Sequence, residues 1–438
     1  MASGLFDMRY LIALLCGYFF NTTVAFADVY TLQALIREGL RTNPTARAAA
    51  ADVDAAQFDL DQSKWALYPS LTISSINSDT EIDQSIASIR QPLWTGGELS
   101  GEVDYASSIV TSTQSRLHET QLRVLLEIVR VFFAYLQIQQ SIQVTEQNVE
   151  EHERLFDLIR RRADALASAE VDVRLAEARM QYAKAELIRL KAESEQYATD
   201  LQELASVIVS GVSEPELPSL PPRSEASYLD GALNYSPAVS RYEAEMAAQA
   251  SRIEVAKSNY LPKIYVGYDR RFEEIFPGQT EEQIYVAVEY RPGAGLSARS
   301  AVSAARARTR RSQENIEVTK RSLISEIKSL LATMNASYAQ LQPAKDLKEA
   351  TELVYDSYLR QFSVGQKTWL DVLNSQREAH QARLFAIGQR ATYTASYYRL
   401  MLLSGSIDEL FSGITSLLGA DGAVSDESDE RTSESLGK

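Results

Sequence analysis

The chain states its architecture twice. Asn43-Pro44 through Tyr68-Pro69 recurs without a gap as Ser236-Pro237 through Leu261-Pro262, at one offset of 193 residues (44 to 237, 69 to 262). Further on, Phe156-Asp157 and Val171-Asp172-Val173 answer to Tyr355-Asp356 and Leu370-Asp371-Val372 at an offset of 199 (156 to 355, 172 to 371). Two copies of one unit, each a few helices with a hairpin, must share an architecture. The expected division is residues 28–213 for the first unit, a proline-rich linker 214–224, and 225–411 for the second.

The amino terminus sets the compartment. Arg9 precedes an apolar stretch from Tyr10 to Phe20, and Ala25-Phe26-Ala27 then offers the small-x-small pattern of a signal peptidase site. Residues 1–27 are read as a signal peptide, because the apolar run is shorter than the roughly 20 residues that span a bilayer. The single cysteine, Cys16, falls inside it. The processed chain is then expected to have no disulfide and no thiolate metal site, and Leu15, where a lipoprotein signal wants a small residue, argues against lipidation.

The net charge is −15, part of it in the tail 412–438, where Asp421, Asp426, Glu427, Asp429, Glu430 and Glu434 face only Arg431 and Lys438. That tail is expected to be disordered and solvated. An acidic balance argues against nucleic acid as a partner. No later stretch is long and apolar enough for a membrane helix, so entry into a bilayer requires strands.

Most of the chain has helical periodicity. From about Glu98 to Arg162 there is no proline, and no glycine after Gly101. Leu122, Leu126, Val129, Phe133 and Leu136 form a seam with a period of 3.5 residues, and Leu125, Ile128, Phe132, Tyr135 and Ile142 form a second one beside it. The second unit answers with Leu323, Ile327, Leu330 and Met334. A helix with two seams packs between neighbours like a stave. Some 65 residues make a rod of roughly 100 Å. The flanking helices, near Leu32 to Trp65 and Ala169 to Val207, are short enough to stack end to end beside it. A solvent-exposed coiled-coil rod is the plainer reading of the same periodicity.

Strands lie between each short helix and its long partner. From Lys263 to Phe272 the even positions are Ile264, Val266, Tyr268, Arg270 and Phe272; from Gln283 to Arg291 they are Ile284, Val286, Val288 and Tyr290, opposite Gln283, Tyr285, Ala287, Glu289 and Arg291. Nine to eleven alternating residues suit a tilted membrane strand. The first unit has a serine-rich counterpart, Ser70 to Asp79 and Gln84 to Trp94. Tyr260, Tyr268, Phe272, Tyr285, Tyr290 and Trp94 are expected near strand ends or along the apolar face, as in an interfacial girdle. Four strands of a soluble sheet are the plain alternative. Four strands cannot close a membrane barrel, and an open edge in lipid leaves backbone groups unpaired. Several copies must therefore build the barrel together. The expected fold is mainly α with a β membrane section: two repeats of long coiled-coil helices plus a hairpin, forming an oligomeric β-barrel joined to an α-helical tunnel.

These residues resemble a known family. The Pro-terminated helices ending at Pro69 and Pro262, the link Gln91-Pro92-Leu93-Trp94-Thr95-Gly96-Gly97, and Phe362-Ser363-Val364-Gly365 running to Asp371-Val372-Leu373 are together similar to the TolC-like outer-membrane efflux proteins, over nearly all of Tyr30 to Gly405. The resemblance implies a homotrimer in outer-membrane lipid, with twelve strands in one barrel and twelve staves in a periplasmic tunnel. It also implies a periplasmic adaptor and an inner-membrane transporter docking at the far end. By the same resemblance the turns Ala165 to Asp172 and Val364 to Asp371 form that end, making Asp371, Asn374, Gly365, Thr368, Asp172 and Ser168 the candidate gate and adaptor contact. Asn374 stands where some relatives carry a second acid, and Leu166 where the second unit has Gly365. A carboxylate at a helix N-terminus is also favoured by the macrodipole, which is the structural reading of Asp371 and Asp172.

No catalytic reading survives. His118, His152 and His380 each lack a second histidine or cysteine at i+3 or i+4, so they are expected to be surface or packing residues. No Walker loop or G-x-S-x-G elbow is present. The reading is a non-enzyme with no cofactor and no metal. The basic cluster Arg306, Arg308, Arg310 and Arg311 is either a tunnel lining or a solvated helix face. The function expected is an export duct, of a tripartite efflux or a type I secretion system, with a poreless periplasmic coiled-coil adaptor as the alternative. Small toxic compounds and whole polypeptides both remain open as cargo. The link Arg291-Pro292-Gly293-Ala294-Gly295-Leu296 resembles that of large-adhesin exporters in type I secretion.

Overall fold

The computed structural model describes residues 29–76, 84–216, 224–272, 281–291, 293–295 and 297–406. The expected signal peptide 1–27, most of the linker, the two hairpin turns and the acidic tail 412–438 lie outside the described residues. In chain order the elements are β1 (Val29–Tyr30), α1 (Leu32–Thr42), α2 (Pro44–Trp65), β2 (Ser70–Ile76), β3 (Gln84–Trp94), α3 (Glu98–Asp164), α4 (Glu170–Ala205) and β4 (Gly211–Val212). The second unit follows with α5 (Glu225–Tyr235), α6 (Pro237–Ser258), β5 (Lys263–Arg271), β6 (Glu282–Glu289), α7 (Ser297–Ser363) and α8 (Trp369–Leu403).

The repeated proline pairs are helix starts. Asn43 Oδ1 accepts from Thr45 N at 2.9 Å and Ser236 Oγ from Val239 N at 3.3 Å, each ahead of a proline in the first turn. Proline fits there because its missing N–H is one the helix end leaves unsatisfied anyway. The single helix expected from Leu32 to Trp65 is therefore two. Apolar spacing runs on across Asn43, but a proline ring clashes with the carbonyl four residues back, so α1 stops and α2 starts afresh.

Long α3 and α7 are both 67 residues. α3 packs against α2 in its first half and α4 in its second; α6 and α8 lie between α3 and α7. The wall thus reads α2–α3–α6–α7 beside the sheet and α4–α3–α8–α7 at the far end. Alanines permit the close approach: Ala46, Ala49 and Ala56 of α2, Ala176 and Ala183 of α4, and Ala244 and Ala248 of α6 are all buried. Where the halves meet, α1, α5 and the parallel pair β1–β4 cover the wall. Leu35, Ile36, Ile128, Phe132, Tyr228, Ile327, Met334 and Leu400 form the main core there, each such burial stabilising the fold by about 1.5–3 kcal/mol.

The four long strands form one antiparallel sheet in the order β2-β3-β5-β6, joining the two units through β3 and β5. Pro92, which has no N–H to donate, sits at the β-bulge between Pro92 and Trp94, where a central strand tolerates it.

Candidate functional site

The register sorts the sheet into two faces. Leu71, Ile89, Tyr268 and Ile284 lie across from one another in one row, Gln91, Val266 and Val286 in the next, and Trp94, Ile264 and Val288 in a third. This apolar face is bare: Ile73, Ile284, Val286 and Val288 are 67–77% exposed. The other face holds Arg90, Gly267 and Tyr285 in one row and Ser88, Asp269 and Gln283 in another, with Lys263 opposite Glu289. Tyr285 therefore does not belong to the expected girdle. Its ring lies over Gly267, where a Cβ would collide with it, and its hydroxyl points to Asp269 Oδ1 at 3.5 Å. Tyr260, Phe272, Tyr290 and Trp94 are exposed at the strand ends.

Neither edge of this wall is finished. β2 and β6 pair on one side only. The helices continuing those edges also carry free faces: Ala51, Asp54, Ala55, Phe58, Gln62 and Trp65 on α2, Ala178, Gln181, Ala185, Ile188 and Ala192 on α4, and Ala304, Ala307, Arg311, Glu314 and Val318 on α7, all exposed. Spacings of three and four place each set on one side of its helix, as in a coiled-coil seam. The alanines among them, Ala51, Ala55, Ala304 and Ala307, are legible in the sequence as positions of close helix approach, while the polar and charged residues between them interrupt any apolar stripe. The basic cluster at 306–311 is exposed on α7, and none of its arginines takes part in an ion pair among the described residues.

At the far end two helical hairpins meet. Both turns close alike, with Ala167 N donating to Arg162 O and Gln366 N to Gln361 O, the six-to-one bond of a left-handed C-cap. Gly365 takes that conformation at φ +77°, whereas Leu166 is held there at φ +59° with a side chain that is 95% exposed. Val171, Val364 and Leu370 extend this bare apolar tip. Ser168 lies in the first turn and Thr368 is the N-cap of α8. Asp371 Oδ2 accepts from Thr368 N at 3.0 Å, and the Thr368 hydroxyl bonds the same oxygen at 2.7 Å. Asp172 Oδ2 accepts from Ala169 N at 3.4 Å. In this structure both acids cap helices.

Behind the tip the hairpins share a core of Leu155, Ile159, Ala176, Tyr355, Phe362, Trp369, Val372 and Leu373. Phe362 and Trp369 pack at 5.7 Å between ring centroids, and Arg162 stacks over Phe362 at 4.6 Å. Above it a polar brace ties three helices. Arg383 of α8 donates to Glu352 of α7 at 2.7 Å and Glu151 of α3 at 3.3 Å, while Gln376 donates to Asn148 and Glu151.

Asn374 lies on α8 three residues beyond Asp371. It lines a cleft of about 70 Å³ with Asn148, His152, Arg179, Tyr182, Arg377 and His380, between α3, α4 and α8. His152 and His380, expected to be surface or packing residues, both line this cleft as packing residues. Burial, then the neighbouring His380 and Arg179, pushes the His152 imidazole down to about 4. His380 is also lowered by burial, and its Nδ1 is buried without a hydrogen-bond partner among the described residues.

The sequence pattern of the family described as outer membrane efflux protein matches residues 35–207 and 228–406. The cobalt-zinc-cadmium resistance protein CzcC of Cupriavidus metallidurans is 23% identical over 375 residues, covering 83% of this chain and 87% of that protein. The outer membrane protein TolC of Salmonella enteritidis is 20% identical over 446 residues, covering 92% and 87%. The CmeC outer membrane channel of Campylobacter jejuni superimposes with a TM-score of 0.75 at 14% identity, over 85% of each chain.

Proposed function

From the premise that the chain belongs to the outer membrane efflux protein family, and so acts at the bacterial outer membrane with its helices in the periplasm, we propose that copies of it close edge to edge into one continuous duct. Three copies give twelve strands and twelve staves. The observation that carries this is the unfinished wall: a sheet bare and apolar on one face, with two unpaired edges that run straight into helix faces lacking a partner. Lipid covers the apolar face. The polar face, with Arg90, Asp269 and Glu289, lines water.

The far tip is the entrance. Its exposed Leu166, Val171, Val364 and Leu370 are the contact for a periplasmic adaptor, which brings the inner-membrane transporter into line. Passage is passive, and the transporter supplies the energy. Opening is a shift of the α7–α8 hairpin away from α3, which must break the Arg383 brace. Asp371, Asn374, Gly365, Thr368, Asp172 and Ser168 lie at the moving end and tune that shift by holding the turns. Apolar residues alternating on one bare sheet face favour a pore over a poreless adaptor.

The test is conductance of the detergent-extracted protein in a planar bilayer, beside Asp371→Ala and Arg383→Met. Discrete long-lived steps, more frequent in Arg383→Met, support the duct. Recovery of the chain in the soluble periplasmic fraction overturns it.

A further inference from the structure

Edge-to-edge closure sets α2 of one copy against α7 of the next, because α2 leads into β2 and α7 follows β6. Resting on that reading, we propose that this contact has a fixed register, set by two crossed ion pairs and an aromatic knob. Asp54 meets Arg311 of the next copy, Arg47 meets Glu314, and Phe58 seats between Ala304 and Ala307.

Depth below the sheet supports each pairing. α2 runs toward the sheet and α7 away from it, so residues match by their distance from Trp65 and Ser297. At 1.5 Å per residue, Phe58 lies about 11 Å down, level with Ala304 at about 11 Å and Ala307 at about 15 Å. Asp54 at about 17 Å is near Arg311 at about 21 Å, and Arg47 at about 27 Å is near Glu314 at about 26 Å.

Charge then selects the register. All four charged residues are exposed, and none takes part in an ion pair among the described residues. Their order is complementary when the helices run antiparallel: acid then base going down α2, base then acid going down α7. A slip of about 10 Å, two turns of helix, brings Asp54 against Glu314, so the wrong register is repelled. Phe58, 73% exposed in one copy, faces small residues at its own level in the next. An aromatic knob over alanines is the size match that interface packing requires.

The experiment uses the full-length chain with Cys16→Ala, which removes its only cysteine. Phe58→Cys with Ala304→Cys, mildly oxidised in outer membranes, is expected to give a covalent ladder ending at the closed oligomer. Phe58→Cys with Ser325→Cys, about 42 Å down α7, is expected to give none. Asp54→Arg should weaken association about two- to fivefold per seam and deplete the ladder, and Arg311→Asp in the same chain should restore it. These side chains are exposed in the single copy, so folding of the chain is not at issue. Stable, conducting oligomers with no Phe58–Ala304 disulfide and no response to Asp54→Arg overturn the register and leave the duct intact. A monomer without conductance overturns the duct and the register together.

Discussion

Thr368 and Asp371 cap one another across the first turn of α8: the threonine hydroxyl accepts from Asp371 N at 3.2 Å while Asp371 Oδ2 accepts from Thr368 N at 3.0 Å. The first unit has Ala169 in place of the threonine, so Asp172 receives a hydrogen bond and nothing is returned to its own N–H by a side chain. The second tip is therefore the better anchored of two otherwise matching turns.

Removing the hydroxyl should equalise them. Thr368→Ala is expected to speed amide hydrogen exchange over residues 369–372 about fivefold, toward that expected at 170–173. The bonds from Thr368, its side chain first, hold the Asp371 carboxyl below the usual aspartate range. A depressed carboxylate stabilises above its ordinary pKa and loses that effect as pH falls through the folded value. Corrected for the intrinsic slowing of exchange in acid, protection at this turn should fall on acidification in the parent and much less in Thr368→Ala. An unchanged exchange pattern counts against the reciprocal cap.

The brace at Arg383 has a distinct signature. Its side chain is only 15% exposed, and removing it leaves Glu151 and Glu352 facing each other. Arg383→Met is expected to destabilise by about 2 kcal/mol, less than for a wholly buried pair, and adding Glu151→Gln and Glu352→Gln should recover most of it. Thermal unfolding of the extracted protein reads both, and no recovery in the triple variant means that packing, rather than unpaired charge, caused the loss.

Acid should loosen the helical wall through His152. Its folded pKa, about 4, lies below the ordinary 6.5, so the unfolded chain takes up the proton first. Stability is then level above pH 6.5 and falls as pH drops toward 4, by at most about 1.4 kcal/mol per pH unit from this group. Arg179 of α4 and Arg383 of α8 face the imidazole pair as cations and Glu186 of α4 as an anion. His152→Gln should flatten urea unfolding free energies between pH 5 and 6.5; an equal slope in both proteins assigns the acid sensitivity elsewhere.

The two faces of β6 should respond oppositely to one substitution. Val286→Arg places a cation on the apolar face and is expected to cost about 2–4 kcal/mol in the membrane, lowering the yield of assembled protein. Gln283→Arg, on the face shared with Asp269, should assemble normally and change ion selectivity. Equal yields would contradict the assignment of the faces.

What the sequence made legible follows from the range of each signal. Proline pairs and strand alternation act within a few residues, so the repeat at Asn43-Pro44 and Ser236-Pro237 and the faces of β5 and β6 are legible directly, whereas the helix break at Asn43 is hidden by apolar spacing that runs across it. The meeting of His152 with His380, and of Arg383 with Glu151, joins positions more than 200 residues apart on α3 and α8, which no single turn connects. No local pattern records that. β1 and β4, two residues each, are too short to alternate. The free seams on α2, α4 and α7 are built mainly of alanine, glutamine and charge, with Phe58, Trp65, Ile188 and Val318 too widely spaced to form an apolar stripe. For Tyr285 the aromatic type points to a girdle, but its position in the alternation puts it on the polar face opposite Gly267.

The two unpaired strand edges also govern timing. In the proposed duct, a solitary copy has nowhere to put the open backbone of β2 and β6 in a bilayer, and so stays on the aqueous side until its companions arrive. Encounter between chains then precedes entry, and the yield of finished assemblies rises more steeply than the supply of chains. Modest underproduction would leave single copies stranded in the periplasm, bare along one sheet face and open to proteolysis.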